Sequence, residues 1–448
     1  MAEIPLYMLR DEHLNLQEMD SNKCNQEWCG PLNKLILPDL PAAQLQYLEE
    51  TQAARLRATF HLLQDFAQHG WQGRLSRNGT ENVVISLSTP DTPLSKQQIR
   101  KAMEPRRLEL IRRSAEWIRR TEPMVMQHLV NGTQIVPLQI NPELEECRSQ
   151  KQHDIFRYCR FLSSVPYSEY VGRRMRFLIR DAALPSRPII GIAALGSSLL
   201  QIRCRDEWIA WNTSELRDVK KLRIAYMMDL YVAVSIPPYS HLLGGKLICY
   251  AMASNEIRKA FERKYKDKVT FSRKRIVKDL VMLVTTSVYG QHSAQYNRIR
   301  YKGNLLYIPV GETAGFGTLH ISQDTFSALR DMLSAEETEI SHKFGDGANW
   351  RLRVVREGMD RLGFDSDQCL RHGHSRGVYV VPLARNAREF LRGETDAIQY
   401  FDYPFEDLVS YWRKRWLEMR IRNSEILQRV RNFRADSLRL TRLLDNCE

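Results

Sequence analysis

Glycine, tyrosine, histidine, serine and threonine crowd around short apolar runs between Ile189 and Asp331, and such residues build sites more often than cores. The turn Pro237-Pro238-Tyr239-Ser240-His241-Leu242-Leu243-Gly244-Gly245 stands between a run that reads as a strand and one that reads as a helix. Gly244 and Gly245 allow close backbone approach at the helix N-terminus, where unpaired amides and the helix dipole favour a phosphate or pyrophosphate. A double glycine that serves only capping and packing is the competing reading. The run from Thr285 to Arg298 follows an apolar strand and holds Tyr289, His292 and Tyr296. His292 can serve as a base near neutral pH. Local spacing fixes no carboxylate or second histidine beside it, so no nucleophile and base pair can be read off. The same residues suit a groove in which Tyr289 and Tyr296 stack on bases.

Two further turns are dense in polar groups. Gly311-Glu312-Thr313-Ala314-Gly315-Phe316-Gly317 is too irregular for a P-loop, because the lysine and hydroxyl pair that would follow the second glycine is missing. Leu370-Arg371-His372-Gly373-His374-Ser375-Arg376-Gly377 resembles half a metal site, but further ligands are not in local sequence; Arg371, His374 and Arg376 are better read as phosphate contacts. Asp206, after Arg205, reads as an ion-paired structural residue before it reads as a catalytic base. Cys24 and Cys29 lack a second ligand pair, and no metal site is expected. The C-terminal stretch from Phe405 carries Arg413, Lys414, Arg415, Arg420 and Arg422, with further arginines and interleaved aromatics, and few acids.

Period and turn chemistry supply the elements that must hold these groups. Residues 1–40 read as an extended arm, and a helix is expected from Pro41 to Gly70. A hairpin is expected over Gly73 to Ser88, turning at Arg77-Asn78-Gly79-Thr80. A long helix after Ser95 presents Arg106, Arg107, Arg112, Arg113, Arg119 and Arg120, either as a phosphate-tracking face or as a solvated face paired with Glu104, Glu109 and Glu116. Strands are expected at Arg176–Ile179, Ile189–Ala194, Leu199–Arg203, Trp208–Trp211 and Leu230–Ile236, then a helix from Lys246 to Tyr265. Strands at Leu280–Thr286, Asn304–Pro309 and Thr318–Ile321 follow, with a helix over Ser322–Leu333. Phe405 onward reads as one long helix. The expected units are an arm (1–40), a mostly helical domain with a small hairpin (41–145), a central α/β domain (146–335) and a C-terminal region (336–448).

A strand meander, then strand, helix, strand, short helix and two strands is similar to the element order of the Gcn5-related acyltransferase fold. The expected class is therefore α+β, with a central mixed sheet of that kind. The resemblance implies that the Gly244–Gly245 turn holds the pyrophosphate of coenzyme A or an acyl-coenzyme A, and that Tyr296 or Tyr289 protonates the departing thiolate. Leu242 stands where that turn carries arginine or glutamine, and the glycines are adjacent where they should alternate.

The run EYVGRRMRFLIRD, the block Arg205-Asp206-Glu207-Trp208-Ile209-Ala210-Trp211, the segment Val310 to Thr313 and LRHGHSRGVYVVPLARN at Leu370 to Asn386 together resemble the DruA family of bacterial Druantia anti-phage defence systems. The resemblance covers roughly residues 160 to 395. It implies phage defence beside a large helicase partner and supplies no reaction.

With 66 lysines and arginines against 53 acids, the formal charge is +13, which favours a polyanionic partner; a basic surface that keeps the protein dispersed or docks an acidic subunit is the alternative. No apolar run reaches the ~18 residues of a spanning helix. The N-terminus lacks a basic start followed by an apolar stretch, so a cytoplasmic protein is expected. The sequence therefore points to a defence component that binds nucleic acid, DNA above all, through basic surfaces and a polar central groove. Two alternatives stand beside it: an acyltransferase-like enzyme and a non-catalytic scaffold.

Overall fold

The computed structural model describes residues 2–5, 8–9, 28–37, 39, 46–78, 82–89, 95–166, 172–270, 274–290, 295–338, 340, 348–373 and 375–445. Two compact units emerge, Met1–Arg106 with Ala314–Ser375, and Arg107–Thr313 with Arg376–Glu448. Residues 314–375, which lie between two strands of one sheet, pack with the N-terminal elements.

In the first unit the expected hairpin forms from β3 (Gln72–Asn78) and β4 (Asn82–Ser88); Gly79 and Thr80 of its turn lie outside the described residues. The expected arm contributes strands instead. β1 (Ala2–Pro5) and β2 (Trp28–Pro31) flank the hairpin, giving an antiparallel sheet in the order β1-β4-β3-β2. The helix expected from Pro41 to Gly70 is Glu50–Gln68, and Pro41 lies outside the described residues. Its apolar stripe, with Leu56, Phe60, Leu63 and Phe66, packs with Phe326, Leu329 and Leu333 of the helix Gln323–Ala335. The expected strand at Thr318–Ile321 does not form.

The second unit is built on seven strands: β5 (Pro142–Glu146), β6 (Arg174–Asp181), β7 (Ile189–Ser197), β8 (Met227–Ser235), β9 (Met282–Ser287), β12 (Ile308–Glu312) and β13 (Gly377–Pro382). A two-residue hairpin, β10 (Arg300–Tyr301) with β11 (Asn304–Leu305), lies between β9 and β12. The sheet order is β12-β13-β9-β8-β7-β6-β5, antiparallel throughout save for β8 beside β9. Alternation divides the strands between two cores. Met175, Phe177 and Ile179 of β6 join the helix Gly244–Met252, whereas Leu178 joins Phe156 and Cys159 of the helix Gln150–Phe161.

Several expected elements change type. Leu199–Arg203 and Trp208–Trp211 are not strands: Arg203–Ile209 is a helix. Arg205, fully buried, bonds the Leu199 carbonyl (2.6 Å), the Leu200 carbonyl (3.2 Å) and Asp206 (2.6 Å), and that tertiary network overrides the β propensity of the tryptophans. Asp206 also takes Lys220 at 2.7 Å. The helix expected from Lys246 to Tyr265 is two, Gly244–Met252 and Asn255–Tyr265, broken at Ala253–Ser254 where the Asn255 amide donates to the Tyr403 carbonyl (2.9 Å).

The expected long C-terminal helix is also interrupted. Phe405–Trp412 runs through a π turn, Arg413–Leu417, into Glu418–Arg420; Ser424–Asn432 then starts afresh, capped by Asn423, whose side chain accepts the Ile426 amide at 3.1 Å. Among the described residues no helix is long and apolar enough to cross a membrane.

Candidate functional site

β8 and β9 pair over three residues only, Met227–Asp229 against Met282–Val284. Beyond that point the carbonyls on the free side of β8 are met by side chains. Thr285 Oγ1 donates to Leu230 O (2.8 Å) and Gln295 Nε2 to Ala233 O (2.8 Å). Thr285 of β9 and Gln295 beyond it thus bond two carbonyls of β8 past the end of the strand pairing. Tyr296 follows, buried, its ring stacked 5.3 Å from Tyr307 and tilted by 52° against Tyr379 at 5.1 Å. Its hydroxyl lies 3.4 Å from Thr285 Oγ1, and burial pushes its pKa above the usual phenol range. Tyr289 is half-buried with its hydroxyl 3.4 Å from Ser164 Oγ, so the two tyrosines serve different surroundings. His292 lies outside the described residues.

The turn after β8 leads through a short 3-10 segment, Tyr239–Leu242, to Leu243, whose φ of 60° is left-handed, and then to Gly244 as the first helical residue. Glycine at 244 is a packing requirement. A Cβ there would stand 2.3 Å from Ser235 Oγ and 2.9 Å from the Tyr239 carbonyl oxygen. At Gly245 an added Cβ meets Gln295 Cδ at 3.5 Å, an ordinary contact. The C-terminal segment lies on this turn. Trp412 Nε1 donates to Leu243 O (3.2 Å), Arg420 Nε to His241 O (3.0 Å), and Phe433 meets the His241 ring edge-on at 6.4 Å.

Cations gather at the same place. Lys246, 8% exposed, donates to Asn297 O (3.1 Å) and lies 4.1 Å over the Trp416 ring, which Arg415 also approaches at 5.1 Å. Burial lowers the Lys246 pKa, and Arg298 and Arg415 lower it further. Burial likewise lowers that of His241, with Arg429 and Arg420 adding to the effect. His241 and Arg298 fall within runs that the sequence marks, whereas the place of Lys246 on Trp416 and the bonding of the His241 carbonyl to Arg420 are set only by the folded chain. The signal of Lys246 in sequence was proximity to Gly244.

The remaining cations divide by role. Arg413 is half-buried and donates to Ile140 O (2.7 Å), and Arg420 is held by His241, so both tie the C-terminal segment down. Lys414, Arg415 and Arg422 are exposed. Glu418 stands one helical turn from Lys414 and from Arg422, yet no ion pair forms among these described residues. Arg371 belongs to the first unit, bridged to Phe316, and Arg376 to the second, where its amide donates to Thr313 Oγ1 (3.0 Å). His374 lies outside the described residues. Among the described residues no cluster of three or more metal-ligating side chains occurs.

The fold is that of a mixed α+β protein with a central mixed sheet, and the C-terminal segment that bears Lys414, Arg415 and Arg422 is bonded to the turn before Gly244. The family model for Druantia protein DruA matches residues 93–393, and the chain is 33% identical over 339 residues to the Druantia protein DruA of Escherichia coli (strain UMEA 4076-1), covering 74% of this chain and 81% of that protein. The chain belongs to the DruA family. No solved structure matches it.

Proposed function

We propose that this chain works as the DruA component of Druantia anti-phage defence by binding nucleic acid, DNA foremost, through its C-terminal cations, in the cytoplasm and together with a helicase-containing system. The observation that carries this is the set of exposed arginines and lysines, Lys414, Arg415, Arg422, Arg429 and Arg431, for which no ion pair forms among the described residues. Unpaired guanidinium forks match phosphate oxygens bidentately and release condensed counterions on binding. Arg371, His374 and Arg376 are assigned to additional phosphate contacts in this reading. In cells carrying a complete defence system, the combined change Lys414→Glu, Arg415→Glu and Arg422→Glu should abolish protection in a plaque assay while the protein still accumulates. Full protection by that variant would refute the proposal.

The acyl-transfer reading draws support from the strand meander, from the parallel β8 and β9 with two helices between them, and from the glycine turn at the start of the first of these. In it Gly244 and Gly245 hold a coenzyme A pyrophosphate and Tyr296, Tyr289 or His292 handles the proton. The weight falls on nucleic-acid binding because the Gln295 amide occupies the free edge of β8 and the Tyr296 hydroxyl has Thr285 as its described neighbour. A scaffold role without chemistry is compatible with the same geometry.

A further inference from the structure

Aromatic side chains form an unbroken row in the second unit. Phe401 stacks on Tyr403, with centroids 4.9 Å apart and planes 8° from parallel; Tyr403 meets Tyr301 edge-on at 5.2 Å, and Tyr301 meets Tyr411 edge-on at 5.5 Å. The row continues from Tyr411 to Tyr250 at 5.8 Å, and the Tyr250 hydroxyl accepts from Trp416 Nε1 at 3.1 Å. Tyr250, Tyr301 and Tyr403 are buried and make its floor, whereas Phe401, Tyr411 and Trp416 are half-buried and reach solvent. Exposed cations stand along it: Arg385 lies 5.9 Å from the Phe401 ring, Lys302 5.2 Å from Tyr301 and Arg415 5.1 Å from Trp416. Packing accounts for the floor. Rings that reach solvent beside exposed cations have the composition of a surface on which bases stack while the cations take phosphates.

Carboxylates share the strip. Asp402 accepts from Asn255 Nδ2 (2.7 Å), Asp407 lies 3.4 Å from the Tyr301 hydroxyl, and Glu406 is exposed. Mixed charge of this kind opposes the two dense phosphate rows of a duplex, whose bases are in any case stacked on each other, and is tolerated by the uncharged faces of unpaired bases. We propose that this row binds single-stranded nucleic acid, with bases stacking on Phe401, Tyr411 and Trp416 and phosphates reaching Arg385, Lys302 and Arg415. The proposal rests on the nucleic-acid reading above and names the form of the ligand. It moves stacking away from Tyr296, which is buried, to Tyr411 and Trp416, which lie beside the exposed Lys414 and Arg415 in the chain.

The full chain, freed of copurifying nucleic acid, is titrated across a salt series with a labelled oligothymidylate, with an abasic strand of the same length and with a duplex. The wild type should bind the oligothymidylate about tenfold tighter than the abasic strand, which keeps the phosphates but offers no base to stack. Phe401→Leu and Tyr411→Leu keep apolar bulk and remove the ring. Each should weaken oligothymidylate binding about tenfold without changing the slope of log affinity against log salt, while Phe401→Tyr and Tyr411→Phe should bind as the wild type does. Arg385→Gln should instead lower that slope by about one. Equal affinity for the base-bearing and abasic strands, preference for the duplex, or folded leucine variants that bind as tightly as the wild type would overturn the stacking row and leave the nucleic-acid reading intact. Where a leucine variant fails to fold, the wild-type comparison of the two strands decides alone. Binding of no probe overturns both.

Discussion

Gly132 and Val430 meet backbone to backbone: a Cβ on Gly132 would lie 1.5 Å from the Val430 carbonyl oxygen, and the Gly132 amide donates to the Phe433 carbonyl at 3.0 Å. The helix Ser424–Asn432, which carries Arg429 and Arg431, is docked on the second unit through this contact. Its placement depends on the absence of one methyl group. Gly132→Ala should destabilise the second unit by about 2 kcal/mol or more, since backbone on both sides leaves nothing flexible to yield. Urea unfolding followed by tryptophan fluorescence would read the loss, and an unchanged midpoint would show that the helix is not held there.

Neighbouring cations in the C-terminal segment should separate by experiment. Arg413→Gln removes a half-buried guanidinium that bonds Ile140 O, and should lower stability by about 1 to 3 kcal/mol through the unpaired carbonyl. Lys414→Gln, at an exposed position, should leave stability within about 0.5 kcal/mol and act on DNA affinity alone. Paired thermal-melt and binding measurements on the two variants would test this. Equal stability losses would erase the distinction.

The first unit should carry a pH-dependent stability of its own. Asp65 is buried between the helices Glu50–Gln68 and Gln323–Ala335, accepting from the Ser322 amide (2.7 Å) and Thr325 Oγ1 (2.5 Å); burial pushes its pKa up to about 7 from 3.8. The folded state therefore keeps a proton that the unfolded chain gives up near pH 4. This favours folding at low pH, and the advantage disappears as pH rises from about 4 to about 7, by up to about 4 kcal/mol. His61 and His69, lowered chiefly by burial, act in the opposite sense below their unfolded pKa, so the wild type minus Asp65→Asn difference isolates the carboxyl. A flat difference curve would contradict it.

Tyr296→Phe removes a hydroxyl whose contact with Thr285 is long, at 3.4 Å, while Thr285 keeps its own bond to Leu230 O. The change should cost about 1 kcal/mol or less and leave DNA affinity unaltered. Protection in a plaque assay should persist. Loss of protection with folding and DNA binding intact would instead favour the acyl-transfer reading.

Local pattern made much of the scaffold legible. The β3–β4 hairpin and the strands at Ile189, Leu230 and Leu280 follow from alternation or from apolar runs bounded by turns, as with Ile189 to Leu195, which is buried on both faces. What escaped was decided by specific side-chain bonds, near and far in sequence, that periodicity does not reveal. Arg205 turns a tryptophan-rich stretch into helix by bonding carbonyls before it. The breaks in the C-terminal helix depend on Asn423 and on Asn131, whose side chain accepts the Ala435 amide at 2.9 Å. The glycine pair was visible, but Ser235 Oγ behind Gly244 was not, nor was the gathering of Lys246 and Arg415 on Trp416. Charge density could be counted from sequence; which cations would be spent on carbonyls, as Arg413 and Arg420 are, could not.

The most direct test of nucleic-acid binding is the affinity of the purified full chain for single- and double-stranded DNA over a salt series from about 50 to 200 mM. Log affinity should fall linearly with log salt, steeply enough to reveal several phosphate contacts, because binding through unpaired arginines and lysines releases one counterion for roughly each phosphate engaged. Absent binding, or binding indifferent to salt, would contradict the account and return the cationic surface to a protein partner.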